Sequence, residues 1–193
     1  ALTLTILDMA NNDAPFTDVA VYVWHCDSAG GYSMYSSGLE DVTYLRGVQV
    51  ADAEGKVSYT SIFPACYTGR WPHIHFEVYP NVASITDSTN AIATYQVALP
   101  EDVSKKVYAL PGYEGSTANL SQVSLANDNV FSDDSGALQL AAVTGDPTNG
   151  YRVALTVRVD TRTEPTAGAA PSGGGGAGGT PPPGAPSGGG TPP

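Results

Sequence analysis

GRWPHIHFEV, residues 69–78, is the stretch on which the reading of this chain turns. Successive side chains of a strand point to opposite faces, so His73 and His75 share one face while Ile74 and Phe76 share the other. A strand built this way presents two imidazoles to a single ion. Two histidines satisfied by ordinary hydrogen bonds fit the same pattern. Residues elsewhere in the chain have to decide between these readings.

Composition narrows the field. The segment from Glu164 to Pro193 is almost entirely Gly, Pro, Ala, Ser and Thr, too poor in apolar surface to offset its chain entropy. It reads as a linker over 164–193 whose Gly-rich part is flexible and whose Pro-rich part is extended. Because spacers join two things, a further module beyond residue 193 is expected; a plain terminal tail is the alternative. The remaining body, 1–163, is long enough for one domain with a substantial core. Acidic residues outnumber basic ones 19 to 8, and the few cations are scattered. No basic stripe tracks phosphates, so nucleic acid is not an expected partner. No apolar run has the length of a bilayer-spanning helix, and no membrane association is expected. ALTLTILD opens in a strand-like alternation with neither an initiator Met nor a basic leader, which suggests a mature or trimmed product.

Within the body, β-rich runs recur between turn signals. LTLTILD, VAVYVWHC, GKVSYTSIF, HIHFEVY, ATYQVAL, ALQLAAV and YRVALTVRVD read as strands. NND, DSAGG, DAEG, DDSG and GDPTNG supply the residues that turns require. One short helix is expected over EDVSKKVYAL, 101–110, with acidic residues early and lysines late. The pattern predicts an all-β fold, a β-sandwich of mixed strands with one short helix and long loops around the site.

Two loops carry companions for the histidines. IFPACYTGRW holds Cys66, Tyr67 and Arg70 just before them, and VYVWHCDSAGGYSMY holds Trp24, His25, Cys26 and Tyr32. Taken alone, each of the eleven tyrosines is a packing residue first. Taken together, WHCDxxGxYSxY, YLRGVQ and DAEGKVSYTSIFPACYTGRWPHIHFEV resemble the signature of the intradiol ring-cleavage catechol dioxygenases, non-haem iron(III) enzymes. The likeness is nearest to a secreted subgroup lacking the N-terminal helical domain. It is strong from about Asp18 to Val78 and looser to about Val159.

The resemblance implies Tyr32, Tyr67, His73 and His75 as ligands of one Fe(III) per chain, with Arg70 as a catalytic residue. His25 falls outside that set and is expected to be structural. Ferric iron suits such donors, because two phenolates and a hydroxide balance its charge while neutral imidazoles complete the shell. A free phenol costs about 4 kcal/mol to ionise at neutral pH, and the cation supplies the compensation. The resemblance further implies that Tyr67 leaves the metal as a catechol arrives, takes a substrate proton as a base, and that Arg70 stabilises the reacting ring. Cleavage with dioxygen would then give a cis,cis-muconic acid.

Other readings stand beside this one. His73, His75 and Glu77 share a strand face and form an alternative two-histidine, one-carboxylate set, which leaves both tyrosines unexplained. A non-catalytic metal-binding or display sandwich is another alternative. Cys26 and Cys66 each stand shortly before a proposed tyrosine ligand, so a disulfide between them is expected, in keeping with secretion. A monomer is expected, since the helical segment through which larger relatives pair is missing. Lignin-derived aromatic diols are the expected substrates and a carbohydrate-binding module the expected tethered neighbour. Which catechol is preferred stays open.

Overall fold

The computed structural model describes residues 1–162, so the linker expected over 164–193 lies outside the described residues. In chain order the strands are β1 (Leu2–Asp8), β2 (Ala14–Pro15), β3 (Ala20–Trp24), β4 (Arg46–Val50), β5 (Lys56–Tyr59), β6 (His73–Tyr79), β7 (Ala93–Ala98), β8 (Ala142–Asp146) and β9 (Gly150–Val159). They form two sheets. The first runs β2-β1-β9-β8, with β5 sharing the β2 edge of β1, and its β1–β9 pair is parallel from Leu2↔Val153 to Asp8↔Val159. The second runs β4-β3-β6-β7 and is antiparallel throughout. The sandwich of mixed strands expected from the sequence is therefore present.

Strand alternation explains the core. Leu2, Leu4 and Ile6 of β1 and Val153, Val157 and Val159 of β9 face Val21 and Val23 of β3, Ile74, Phe76 and Val78 of β6, and Val97 of β7. Each of these strands therefore turns its other set of side chains outward. For β6 that set begins with His73 and His75, on the outer face of the second sheet.

The outer face is covered in turn. Helices α1 (Glu101–Tyr108) and α2 (Ser116–Leu120), with the turns that lead from them to β8, close over it. Cys66, Trp71, Ala98, Val107, Tyr108, Leu120 and Phe131 form a second, smaller core beneath this cap. The site thus lies between a sheet and its cap rather than inside the sandwich.

Four expectations need correction. Two α-helices are present, and α1 ends at Tyr108 rather than at residue 110. GKVSYTSIF is a strand only over Lys56–Tyr59, because the chain beyond it leaves β1 to form the loop carrying Tyr67. ALQLAAV is displaced: Asp134 draws Ala137 and Leu138 into a turn by accepting from their amides, and β8 starts only at Ala142. The segment Arg46–Val50, which shows little alternation in burial, is an edge strand that the sequence did not announce.

Phe76 is 1% exposed and stands on β6 with its back to the histidines. Phe76→Ala should lower the unfolding free energy by about 3–5 kcal/mol, read from urea denaturation. A loss below about 1 kcal/mol would contradict its place at the centre of the core.

Candidate metal centre

His73 and His75 emerge from β6 beneath a row of residues paired across the sheet, Arg46↔Trp24↔His75↔Gln96. The Trp24 ring lies flat on His75, 4.8 Å between centroids and 9° apart in plane, and Tyr22 stacks on Trp24 in turn. His75 is thereby aimed by packing. His73 is aimed by a hydrogen bond, because its Nδ1 contacts the carbonyl oxygen of Trp71. A carbonyl only accepts, so Nδ1 carries the proton and Nε2 presents a lone pair.

The tyrosines arrive on two loops that meet. Asp27 folds the first by accepting from the amides of Ala29 and Gly31, and its carbonyl receives Ala65 N–H from the second. Gly30 lies at the crossing with a φ of 91°, and a Cβ there would approach that of Tyr67 to 3.3 Å. The second loop is tied to the cap, since Ser116 Oγ accepts from Cys66 N–H and Asn119 donates to the Cys66 carbonyl.

Four donor atoms converge as a result. Tyr32 Oη lies 3.5 Å from Tyr67 Oη, 3.3 Å from His73 Nε2 and 3.2 Å from His75 Nε2. Tyr67 Oη is 3.3 Å from His73 Nε2, and the two Nε2 atoms are 3.1 Å apart. Edges of roughly 3.0–3.4 Å are what bonds of about 2.1 Å to a shared ion produce in octahedral or tetrahedral shells. Burial pushes the Tyr32 hydroxyl well above the usual phenol range, with the neighbouring Tyr67 adding to it, and burial raises Tyr67 while Arg70 opposes. Burial likewise holds His73 well below the ordinary imidazole value, helped by Arg70, and His75 similarly, helped by His73 and Arg70. Neutral imidazoles and two buried phenols suit a hard, highly charged metal ion that can ionise the phenols. The donor set fits iron(III).

The other residues singled out in the sequence lie close by, with partners of their own. Arg70 Nε donates to Asp128 at 2.9 Å and its Nη2 to Gln96 at 2.6 Å. Arg46 donates to Ser33 Oγ, Ser33 O and the Tyr22 hydroxyl, and lies 4.4 Å from the centre of the Tyr35 ring. It therefore holds the residue next to Tyr32. His25 is buried and structural, bonded to the Cys26 carbonyl and to Ser61 Oγ. Glu77 accepts from the Tyr79 hydroxyl at 2.7 Å, and among the described residues no three His, Cys, Asp or Glu side chains group as a metal site. This leaves the two-histidine, one-carboxylate reading without support. The expected Cys26–Cys66 disulfide is absent: the thiols point to different carbonyls, those of Ala65 and Arg70, and burial pushes both up to about 12. Asp128, Gln96 and Arg46 were not legible as site residues. Asp128 lies 58 positions from Arg70, in a loop with no local sign of its role.

Residues 5–87 match the family model described as Dioxygenase. A 53-residue stretch is 38% identical to a chlorocatechol 1,2-dioxygenase from Rhodococcus opacus, spanning 28% of this chain and 21% of that relative. The fold superposes on an intradiol ring-cleavage dioxygenase from Tetranychus urticae with a TM-score of 0.66 at 23% identity, covering 82% of this chain and 79% of the other. It also superposes on the dioxygenase domain of a dioxygenase carbohydrate-binding protein fusion from Streptomyces sp. SirexAA-E, with a TM-score of 0.55 at 20% identity and coverages of 82% and 77%. The chain is thus similar to dioxygenases over residues 5–87, spans about a fifth of the length of the curated relative it matches, and shares its fold with intradiol ring-cleavage dioxygenases.

Burial lowers the pKa of all three histidines from 6.5. Below that value the unfolded chain binds protons that the folded protein refuses, so stability is lost as pH falls toward the folded values. For the metal-free protein the slope should reach roughly 1.4 kcal/mol per pH unit for each histidine that stays neutral. Urea midpoints measured from pH 7.5 down to 5 should fall steadily; a flat profile would contradict the neutral assignment.

Proposed function

We propose that this protein cleaves catechol-type ortho-diols with dioxygen between the two hydroxyl-bearing carbons, giving cis,cis-muconic acids. The observation that carries the proposal is the convergence of Tyr32 Oη, Tyr67 Oη, His73 Nε2 and His75 Nε2 at separations of 3.1–3.5 Å. These four residues would hold one iron(III) per chain. Iron(III), when bound, supplies charge for the phenolates and a centre at which a deprotonated diol and dioxygen can react.

The two tyrosines have unequal roles. Tyr32 is 4% exposed and its oxygen touches three of the other donors' atoms, so it is the fixed member. Tyr67 is only partly buried and lies two residues before Gly69, whose φ is 79° and whose surroundings are open within 4 Å. Tyr67 is therefore the residue free to swing aside and take a proton from the arriving diol. Arg70, whose Nε and Nη2 are held by Asp128 and Gln96, would donate from its remaining N–H groups to the positions where negative charge develops. Trp24 and Tyr22, stacked on His75, would keep its imidazole oriented toward the other three donors.

Secretion, monomeric behaviour, action on lignin-derived aromatics and a carbohydrate-binding module beyond residue 193 complete the proposal. The tethered module is supported by the Gly/Pro-rich segment from Glu164 onward and by likeness to the dioxygenase domain of the Streptomyces fusion.

The test is oxygen uptake with catechol and mass identification of the product. Iron(III) added to the metal-free protein should give an intense visible tyrosinate band, weakened in both Tyr32→Phe and Tyr67→Phe. Tyr32→Phe should mainly lose iron. Iron-replete Tyr67→Phe should lose about 10²–10⁴-fold in kcat/KM, the usual contribution of a positioned base. Unchanged turnover in that variant would remove Tyr67 from its role, and an extradiol aldehyde product would remove the mechanism.

A further inference from the structure

YLRGVQ, residues 44–49, forms most of the edge strand β4 and the residues leading into it. Its arginine does more than begin that strand. Trp24 is paired with Arg46 across β3 and β4 and with His75 across β3 and β6, so the Arg46 side chain leaves the sheet on the same outer face as His75. From there it reaches two of the four donors by separate routes.

The first route leads to Tyr32. Nε donates to Ser33 Oγ at 2.9 Å and Nη2 to the Ser33 carbonyl at 2.6 Å, so one residue is gripped at two points by the guanidinium. Ser33 is 1% exposed, and its hydroxyl donates to the Tyr44 carbonyl at 2.7 Å. A peptide bond joins Ser33 to Tyr32, and the turn closes through Ser36, whose amide donates to the Tyr32 carbonyl and whose Oγ accepts from the Tyr32 amide. Tyr35, on the same turn, lays its ring against the guanidinium at 4.4 Å.

The second route leads to His75. Nη1 donates to the Tyr22 hydroxyl at 2.7 Å. The Tyr22 ring stacks on Trp24 with 5.1 Å between centroids, and Trp24 stacks on His75 with 4.8 Å. Arg46 therefore anchors one end of the stack, and the imidazole is the other end. One guanidinium stands behind both Tyr32 Oη and His75 Nε2, which lie 3.2 Å apart. These contacts use shape rather than charge. The three oxygens that Arg46 holds are uncharged, and they lie in different directions around a rigid planar fork. A lysine would bring the same charge as a single point on a flexible stem and could not span Ser33 and Tyr22 together.

We propose that Arg46 is a positioning residue of the candidate metal centre, whose planar fork sets Tyr32 Oη and His75 Nε2 at a separation that one iron(III) can span, and that lysine cannot replace it. The inference rests on the dioxygenase reading given above for the identity of the ion. It concerns one half of the shell only. The loop carrying Tyr67 is held by Ser116 and Asn119, and His73 by the Trp71 carbonyl, through contacts that do not involve Arg46.

The test takes the full chain and reads iron(III) affinity in competition with a chelator, following the tyrosinate band. Arg46→Lys should lose about 10–100-fold in affinity, the usual cost of removing a group that orients a metal ligand. Affinity within about twofold of the unmodified protein overturns the inference, because charge alone would then suffice. Proton NMR of the metal-free protein supplies a readout that general loosening would not reproduce. The His75 ring protons, shielded by the Trp24 face, should move toward unstacked positions in Arg46→Lys while those of His73 keep theirs; equal movement of both overturns the positioning role. Two further variants cut one route each and keep the charge, and they carry the test if Arg46→Lys does not fold. Tyr22→Phe should move the His75 protons. Ser33→Ala should move the Tyr32 tyrosinate modes in the resonance Raman spectrum of the iron-loaded protein, identified as those that survive in Tyr67→Phe. If neither variant moves its own donor, the inference falls. The loss of iron affinity in Tyr22→Phe should shrink to within about twofold in the Arg46→Lys background, whereas additive losses overturn the route through Tyr22. None of these readouts needs turnover. A chain that holds iron(III) with these differences but cleaves no catechol keeps the inference and removes the dioxygenase reading, and a chain that takes no iron(III) removes both.

Discussion

The alternation of β6 is the constraint on which the rest of the structure depends. Ile74, Phe76 and Val78 are held in the sandwich core, so His73 and His75 have no freedom to leave the opposite face. A one-residue slip would exchange the two sets, burying imidazoles among valines and exposing Phe76. The apolar core is therefore what positions the two imidazoles of the candidate metal centre. The pairs Trp24↔His75 and His75↔Gln96 follow from the same register, since β3 and β7 can align with β6 only where their own apolar residues meet the core.

Burial sets a second constraint, which the cap satisfies locally. Covering the outer face of the second sheet takes polar groups out of water, and those beside the site find partners. His73 Nδ1 takes the Trp71 carbonyl, His25 takes Ser61 and the Cys26 carbonyl, and Arg70 takes Asp128. What the protein leaves without a compensating cation is the cluster of phenol oxygens and imidazole nitrogens. Phenols pushed upward and imidazoles pushed downward by burial form a site that is neutral when empty of cations and well matched to a trivalent one. The same desolvation that raises Cys26 and Cys66 raises Tyr32 and Tyr67, so that a bound cation would be needed to ionise these phenols.

Much of the fold was legible because its signals are local. Strand periodicity marked β1, β3, β6 and β9, and acid-then-lysine order marked α1. Misreadings occurred where a local preference lost to a contact from elsewhere. ALQLAAV alternates like a strand, yet Asp134 captures its first amides and Gly136 turns it, with a φ of 71°. RGVQV is a strand because β3 offers it an edge to pair with, not through its own pattern. The two cysteines suggested a bridge because their loops converge, and they do converge, but each side chain faces a different carbonyl.

The sequence by itself determined which residue types are available and which of them share a face: two histidines on one side of a strand, a tyrosine after each of two turns, an arginine three positions before the first histidine. Residue spacing carries that information because a strand has a period of two and a turn has a narrow choice of residues. Only the tertiary structure decided what Arg70 does with its charge. Asp128 reaches it from 58 residues away, and Arg46 reaches Ser33 across a loop. Pairings of that kind depend on how the cap settles on the sheet, and no local periodicity encodes them, because the contacts form between segments whose separation in sequence is unrelated to their separation in space.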